Sequence, residues 1–129
     1  MKEEVKRYLE KAEDSLGAAK ELLDKGYFAD TCSKAYYVMY YSTQALLRDA
    51  NINVKKHSAL VAKFGERFAK TGKIDPKYHR YLIDAKKRRE IADYDVFSVI
   101  DKELAKERIK WAEEFLNEIK KLLGAENVN

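Results

Sequence analysis

Apolar side chains recur at steps of three and four along nearly the whole chain, and the breaks between those runs are few: five glycines and a single proline, Pro76. That period puts apolar groups on one face of a helix, and no segment shows the two-residue alternation of a half-buried strand. Val5, Tyr8, Leu9, Ala12, Leu16, Ala19, Leu22 and Leu23 form the first stripe, an amphipathic helix of about 22 residues that Gly26 can stop. The next run, "ADTCSKAYYVMYYSTQALLRDA", is apolar over most of its circumference. Asp30 and Thr31 are its candidate N-caps and "NIN" its end, and a helix apolar on so many sides belongs at the centre of a fold.

A shorter helix is predicted in "VKKHSALVAKFGERFAKTG", where Leu60, Val61, Phe64 and Phe68 share a stripe; it should run to about Lys70 and stop at Gly72. Asp75 and Pro76 restart the chain as N-cap and first helical residue. In the helix that follows, Tyr78, Tyr81, Leu82 and Ala85 should face inward and His79 outward, with fraying or a bend near Asp93. The last helix should begin near Asp101, carry a stripe of Leu104, Arg108, Trp111, Ala112, Phe115, Ile119 and Leu122, and end at Gly124. Short connections make neighbouring long helices antiparallel. The expected fold is therefore all-α: an up-and-down bundle of four long helices with a short one laid across an end or side, spanning 1–124 as one domain before a polar tail at 125–129.

Composition narrows the chemistry. With 46% hydrophobic and 37% charged residues the chain is too apolar to stay disordered. Cys32 is the only cysteine, which excludes an intramolecular disulfide and a thiolate zinc site, and it is expected as a small core thiol. No stretch has the uninterrupted apolar length of a secretory signal or membrane span, so a soluble, cytoplasmic protein that does not enter membranes is expected. Neither His57 nor His79 completes a Glu-x-x-His motif, and a Gly-x-x-x-x-Gly-Lys loop, a Gly-x-Ser-x-Gly elbow and a His-Glu-x-x-His helix are absent. No metal or cofactor is expected.

Charge and tyrosine mark the candidate site. Residues 73–89 hold seven Lys and Arg against Asp75 and Asp84, a local excess able to attract phosphate. It ends in "KKRREIADYD". Successive residues of a helix rotate by about 100 degrees, so the four cations cannot share a face. Arg89 falls on the buried stripe of Leu82 and Ala85 and needs a partner, for which Asp93 at i+4 is nearest, while Lys86 and Lys87 are expected in solvent. Tyr94 would lie about 140 degrees from Arg89 on a continuous helix, so the two meet only across a bend or a second subunit. On the central helix Tyr36 and Tyr40 read as core aromatics. Lys34, Tyr37, Tyr41, Gln44 and Arg48 form a mixed row: a subunit interface, ordinary half-buried tyrosines, or a groove wall where tyrosine faces meet a base and cations its phosphates. His57, in "KKHSAL", reads as a capping or packing residue or as a catalytic or phosphate contact.

The order of a long first helix, "AYYVMYYSTQALL" after "YFAD", "KKHSALVAKFGERF", and "RREIADYD" before a long last helix resembles the HEPN domain family, in its small single-domain prokaryotic branch, over residues 3 to 122. The resemblance implies a helical bundle paired as a homodimer with a groove near the arginine motif. It also implies a nucleotide- or RNA-binding protein, and a toxin paired with a minimal nucleotidyltransferase as antitoxin. Ribonuclease members carry Arg, four to six residues, then His; Arg89 matches the arginine, and the histidine position holds Tyr94. Arg89 and Tyr94 are accordingly the candidate catalytic pair, within a binding set of Arg88, Arg89, Asp93, Tyr94, Lys34, Tyr37, Tyr41 and His57. A tyrosine of ordinary pKa near 10 is a poorer acid or base than imidazole at neutral pH. The alternative is a noncatalytic helical dimer acting as a protein interaction module, with the Arg89 to Asp93 pair structural.

Overall fold

The computed structural model describes residues 1–124; the polar tail expected at 125–129 lies outside them. Five α-helices follow in order: α1 (Glu3–Asp24), α2 (Phe28–Asp49), α3 (His57–Phe64), α4 (Pro76–Tyr94) and α5 (Lys102–Leu123). A π-helical turn over Gly65–Ala69 extends α3, closed by the Lys70 amide on the Gly65 carbonyl at 2.8 Å. The all-α bundle of four long helices and one short one is as the sequence implies.

Side-chain pairings fix the directions. Glu4 meets Arg48 and Tyr8 meets Tyr41, so α1 runs against α2; Glu13 meets Lys120 and Glu113 meets Lys20, so α1 also runs against α5. Asp84 meets Arg108 and Tyr81 meets Trp111, so α4 runs against α5. The bundle is thus up-and-down. It is also flattened, because α2 packs on α1, α4, α3 and diagonally on α5. Fully buried small residues, Ala35 and Ser42 on α2 and Ala105 and Ala112 on α5, leave room for close helix packing. The hydroxyls this buries bond back along α2: Ser42 to the Val38 carbonyl at 2.6 Å and Thr43 to that of Met39 at 2.8 Å.

The helix boundaries follow local chemistry. Asp75 caps α4, its carboxylate accepting the Lys77 amide at 2.9 Å ahead of Pro76, and Asp101 caps α5 through the Leu104 amide at 2.9 Å. Gly72 and Gly124, at φ 78° and 69°, end their segments in the left-handed region. Helix α2 departs from expectation by starting at Phe28, so Asp30 and Thr31 lie inside its first turn. Thr31 is fully buried and its hydroxyl donates to the Tyr27 carbonyl at 2.8 Å, so the helix is already wound when Thr31 reaches the core.

Three further expectations are corrected. His79 is half-buried rather than exposed: its Nε2 donates to the Val61 carbonyl at 3.0 Å, and its ring fills the space over Gly65, where an added Cβ would come within 2.4 Å of it. Gln44, placed by its spacing in a polar row, is buried and donates to the Val54 carbonyl at 2.9 Å. Leu122 is 40% exposed, while Leu123 beside it packs against the core.

Arg108, by contrast, holds its place on the buried face of α5. One guanidinium nitrogen donates to Asp84 at 2.7 Å and the group lies 3.8 Å over Trp111, whose ring stacks on Tyr81 at 4.2 Å. Arg108 is buried while Asp84 is half exposed, so removing the carboxylate strands a desolvated cation. Asp84→Ala should therefore lower unfolding free energy by about 2 to 3 kcal/mol, whereas Arg108→Met, which removes the charge itself, should cost less. Urea denaturation of both variants decides this; equal losses would show that the ion pair, rather than the stranded charge, sets the cost.

Candidate functional site

The core stripe of α2 turns Tyr36 inward, and a buried tyrosine, unlike phenylalanine, must find a partner for its hydroxyl. Tyr36 is fully buried, and its phenol reaches Nδ1 of His57, the first residue of α3, at 2.6 Å. Burial pushes the phenol well above its ordinary pKa, so it remains protonated. It is thus the donor, Nδ1 the acceptor, and the proton of the neutral imidazole sits on Nε2.

Tyr40 stacks on the His57 ring, centroids 4.3 Å apart and planes 18° from parallel, and Tyr37 meets it edge-on at 6.1 Å. The loop before α3 is tied to the same helix: the Tyr40 phenol donates to the Lys55 carbonyl at 3.3 Å, and the Gln44 amide reaches both that phenol, at 3.2 Å, and the Val54 carbonyl. The imidazole is thereby fixed in place as well as in tautomer.

The last turns of α4 supply the charge. The Arg89 guanidinium lies 5.6 Å over the Tyr36 ring and 5.1 Å over that of Tyr37. Its Nε is 3.5 Å from an Asp93 carboxylate oxygen, yet it is buried and has no aligned hydrogen-bond partner among the described residues. One turn earlier Lys86 is half-buried and bonds Glu90 at 2.5 Å, so it is not the free solvent cation its place in the run suggests. That bond and the Lys86 charge hold the Glu90 carboxyl below its usual range. The His57 pKa is lowered, first by burial and then by Arg89 and Lys86, with Glu90 opposing. At neutral pH the site therefore sets a neutral imidazole and the Arg89 guanidinium side by side against aromatic faces, an arrangement suited to an anion.

The anticipated residues do not all meet here. Arg89, Asp93, His57 and Tyr37 do. Tyr41 stands one step away, 5.8 Å from Tyr37, and Lys34 is exposed on the turn of α2 before it. Arg88 points to the other side of α4, close enough to Cys32 to act on its thiol, which burial nevertheless pushes up to about 11. Tyr94 ends α4 without a bend, is 87% exposed, and does not approach Arg89 within the chain. Tyr36, Tyr40 and Lys86 were missed, the tyrosines because their spacing marks them as core. The signal was a phenol on a buried stripe, which demands a polar neighbour. Among the described residues no group of three or more His, Cys, Asp or Glu could hold a metal, and no helix is long and apolar enough to cross a membrane.

Comparison with known proteins covers this whole arrangement. Residues 5–122 match the model of the HEPN domain. Two proteins of Methanocaldococcus jannaschii, each named "Putative toxin", are 37% and 36% identical; the alignments cover 98% of this chain and 86% of the first, and 95% of this chain and 91% of the second. A UPF0332 protein of Thermotoga maritima is 31% identical over 88% of this chain and 86% of its own length.

The depressed histidine makes stability depend on pH. Unfolding restores the ordinary His57 pKa near 6.5, so as pH falls through that region the unfolded chain binds the proton first and stability is lost. The urea midpoint should drop between about pH 7.5 and about pH 5. Other groups contribute over that range, so the diagnostic is His57→Gln, which should drop less; identical slopes would show that the imidazole titrates unhindered.

Proposed function

Because the chain belongs to the HEPN domain family, we propose that it is a toxin-type member whose site at Arg89 and His57 binds the phosphate of a nucleotide or an RNA backbone. The observation that carries this reading is the convergence of two kinds of donor, the Arg89 guanidinium and the His57 imidazole, on the same pair of tyrosines, Tyr36 and Tyr37. The names of the archaeal relatives support the toxin role. A nucleotidyltransferase serves as its partner and antitoxin.

Where ribonuclease members have a histidine this chain has Tyr94, which projects away from Arg89. The imidazole near Arg89 is instead His57, so binding depends on His57 and Arg89 and not on the phenol of Tyr94. A second copy of the chain completes the assembly: Ile91, Val96, Phe97 and Val99 are exposed apolar residues at the end of α4 and in the connection to α5, a strip that pairing would cover.

Arg89→Ala should weaken binding of ATP or a short RNA by about 10-fold or more while helical content persists, the loss typical of a charged hydrogen bond. Tyr94→Phe should bind as the wild type does. Intact protein that binds neither ligand in calorimetry would refute the site. Light scattering should give twice the chain mass, reduced by Phe97→Glu; a wild-type monomer would remove the paired assembly.

A further inference from the structure

The aromatic surface does not stop at His57. From Tyr40 the rings continue to Tyr41 at 5.4 Å, and from Tyr41 across to Tyr8 of α1, stacked at 6.3 Å with planes 28° apart. Tyr37 fills the inside of this bend, 6.0 Å from Tyr40 and 5.8 Å from Tyr41. Tyr8, Tyr37, Tyr40 and Tyr41 are all half-buried, so each keeps part of its ring at the surface.

Cations stand at the far end as well. The Lys11 ammonium lies 5.1 Å over Tyr41 and the Arg48 guanidinium 5.5 Å over Tyr8. With Glu4, Arg7 and Tyr8 these two line a concavity of about 280 Å³. Arg48 is bound to Glu4 at 3.1 Å and Arg7 to Glu3 at 3.5 Å, whereas Lys11 has no carboxylate partner among the described residues. Of the three cations that line this concavity, Lys11 is therefore the one not paired with a carboxylate.

A ring row that served only the core would be buried and could be phenylalanine; here polar-tipped rings remain at the surface with cations on their faces. Steps of 5.1, 5.8 and 5.1 Å lead from Arg89 through Tyr37 and Tyr41 to Lys11. A mononucleotide held at Arg89 occupies only the first of them. At a stacked rise of about 3.4 Å per nucleotide the full row spans about three to five nucleotides. Cation–π contacts at exposed sites are weaker than base–aromatic stacking, so bases can displace the cations from the ring faces and leave them to the backbone.

We infer that Tyr37, Tyr40, Tyr41 and Tyr8 form a stacking track for a single-stranded polynucleotide, and that Lys11 is a second phosphate anchor remote from Arg89. The inference rests on the phosphate site proposed at Arg89 and extends it across α1. Calorimetric titration of the full chain with AMP and with oligoadenylates from two to about six nucleotides long tests it. Affinity should rise on the order of 10-fold or more over AMP and level off at about four nucleotides. Lys11→Gln should remove most of that gain and lower the salt dependence of oligonucleotide binding by about one phosphate contact, leaving AMP affinity within about 2-fold. Tyr41→Ala should shorten the gain, while Tyr41→Phe, which keeps the stacking face and the packing, should retain it. If AMP binds but length adds nothing, or if the gain survives Lys11→Gln and Tyr41→Ala, the track is refuted while the Arg89 site stands. If neither AMP nor any oligomer binds, the Arg89 site falls first.

Discussion

The structure depends on the burial of α2 from several sides at once. A helix in contact with α1, α3, α4 and α5 has little freedom to rotate, because any rotation would drive its small residues and its large ones into the wrong neighbours. That constraint aims Tyr36 inward and Tyr37 and Tyr41 toward the rim. The buried phenol then dictates the tautomer of His57, and the rings beside it seat Arg89. The electrostatics of the surface are thus set from within the core.

Much of the fold was legible in the sequence. The stripes of α1 and α5, the Asp75 and Asp101 caps and the glycine stops are local signals, and each element ends close to where its chemistry says. The start of α2 was not, since Asp and Thr suit a cap and a first turn alike, and only tertiary burial of Thr31 decides between them. The position of His79 depends on a π-turn that brings Gly65 under the ring, which no local propensity announces.

The site was legible in outline. A spacing argument placed Arg89 on the inner face of α4 with Asp93 in reach, and both are so placed. It could not join His57 to Tyr36, because 21 residues and a loop separate them. Periodicity sorts residues into inside and outside, while the phenol of Tyr36 is inside and chemically engaged. Lys86 was misread for a related reason: a run of cations looks uniform in sequence, but helical rotation gives each member a different environment.

The attachment of α4 is uneven. It touches α5 through Tyr78, Tyr81 and Asp84 and has no contact of note with α1, and past Ala85 its hold on the bundle passes from apolar packing to Arg89 over the α2 tyrosines. A segment retained by so little buried apolar area opens at lower free energy than the core around it, so its amides exchange with solvent sooner than those of α2. An anion bridging Arg89 and His57 would fasten that end of α4 to α3. Occupancy would then register as slowed exchange along one helix, with no displacement of the bundle.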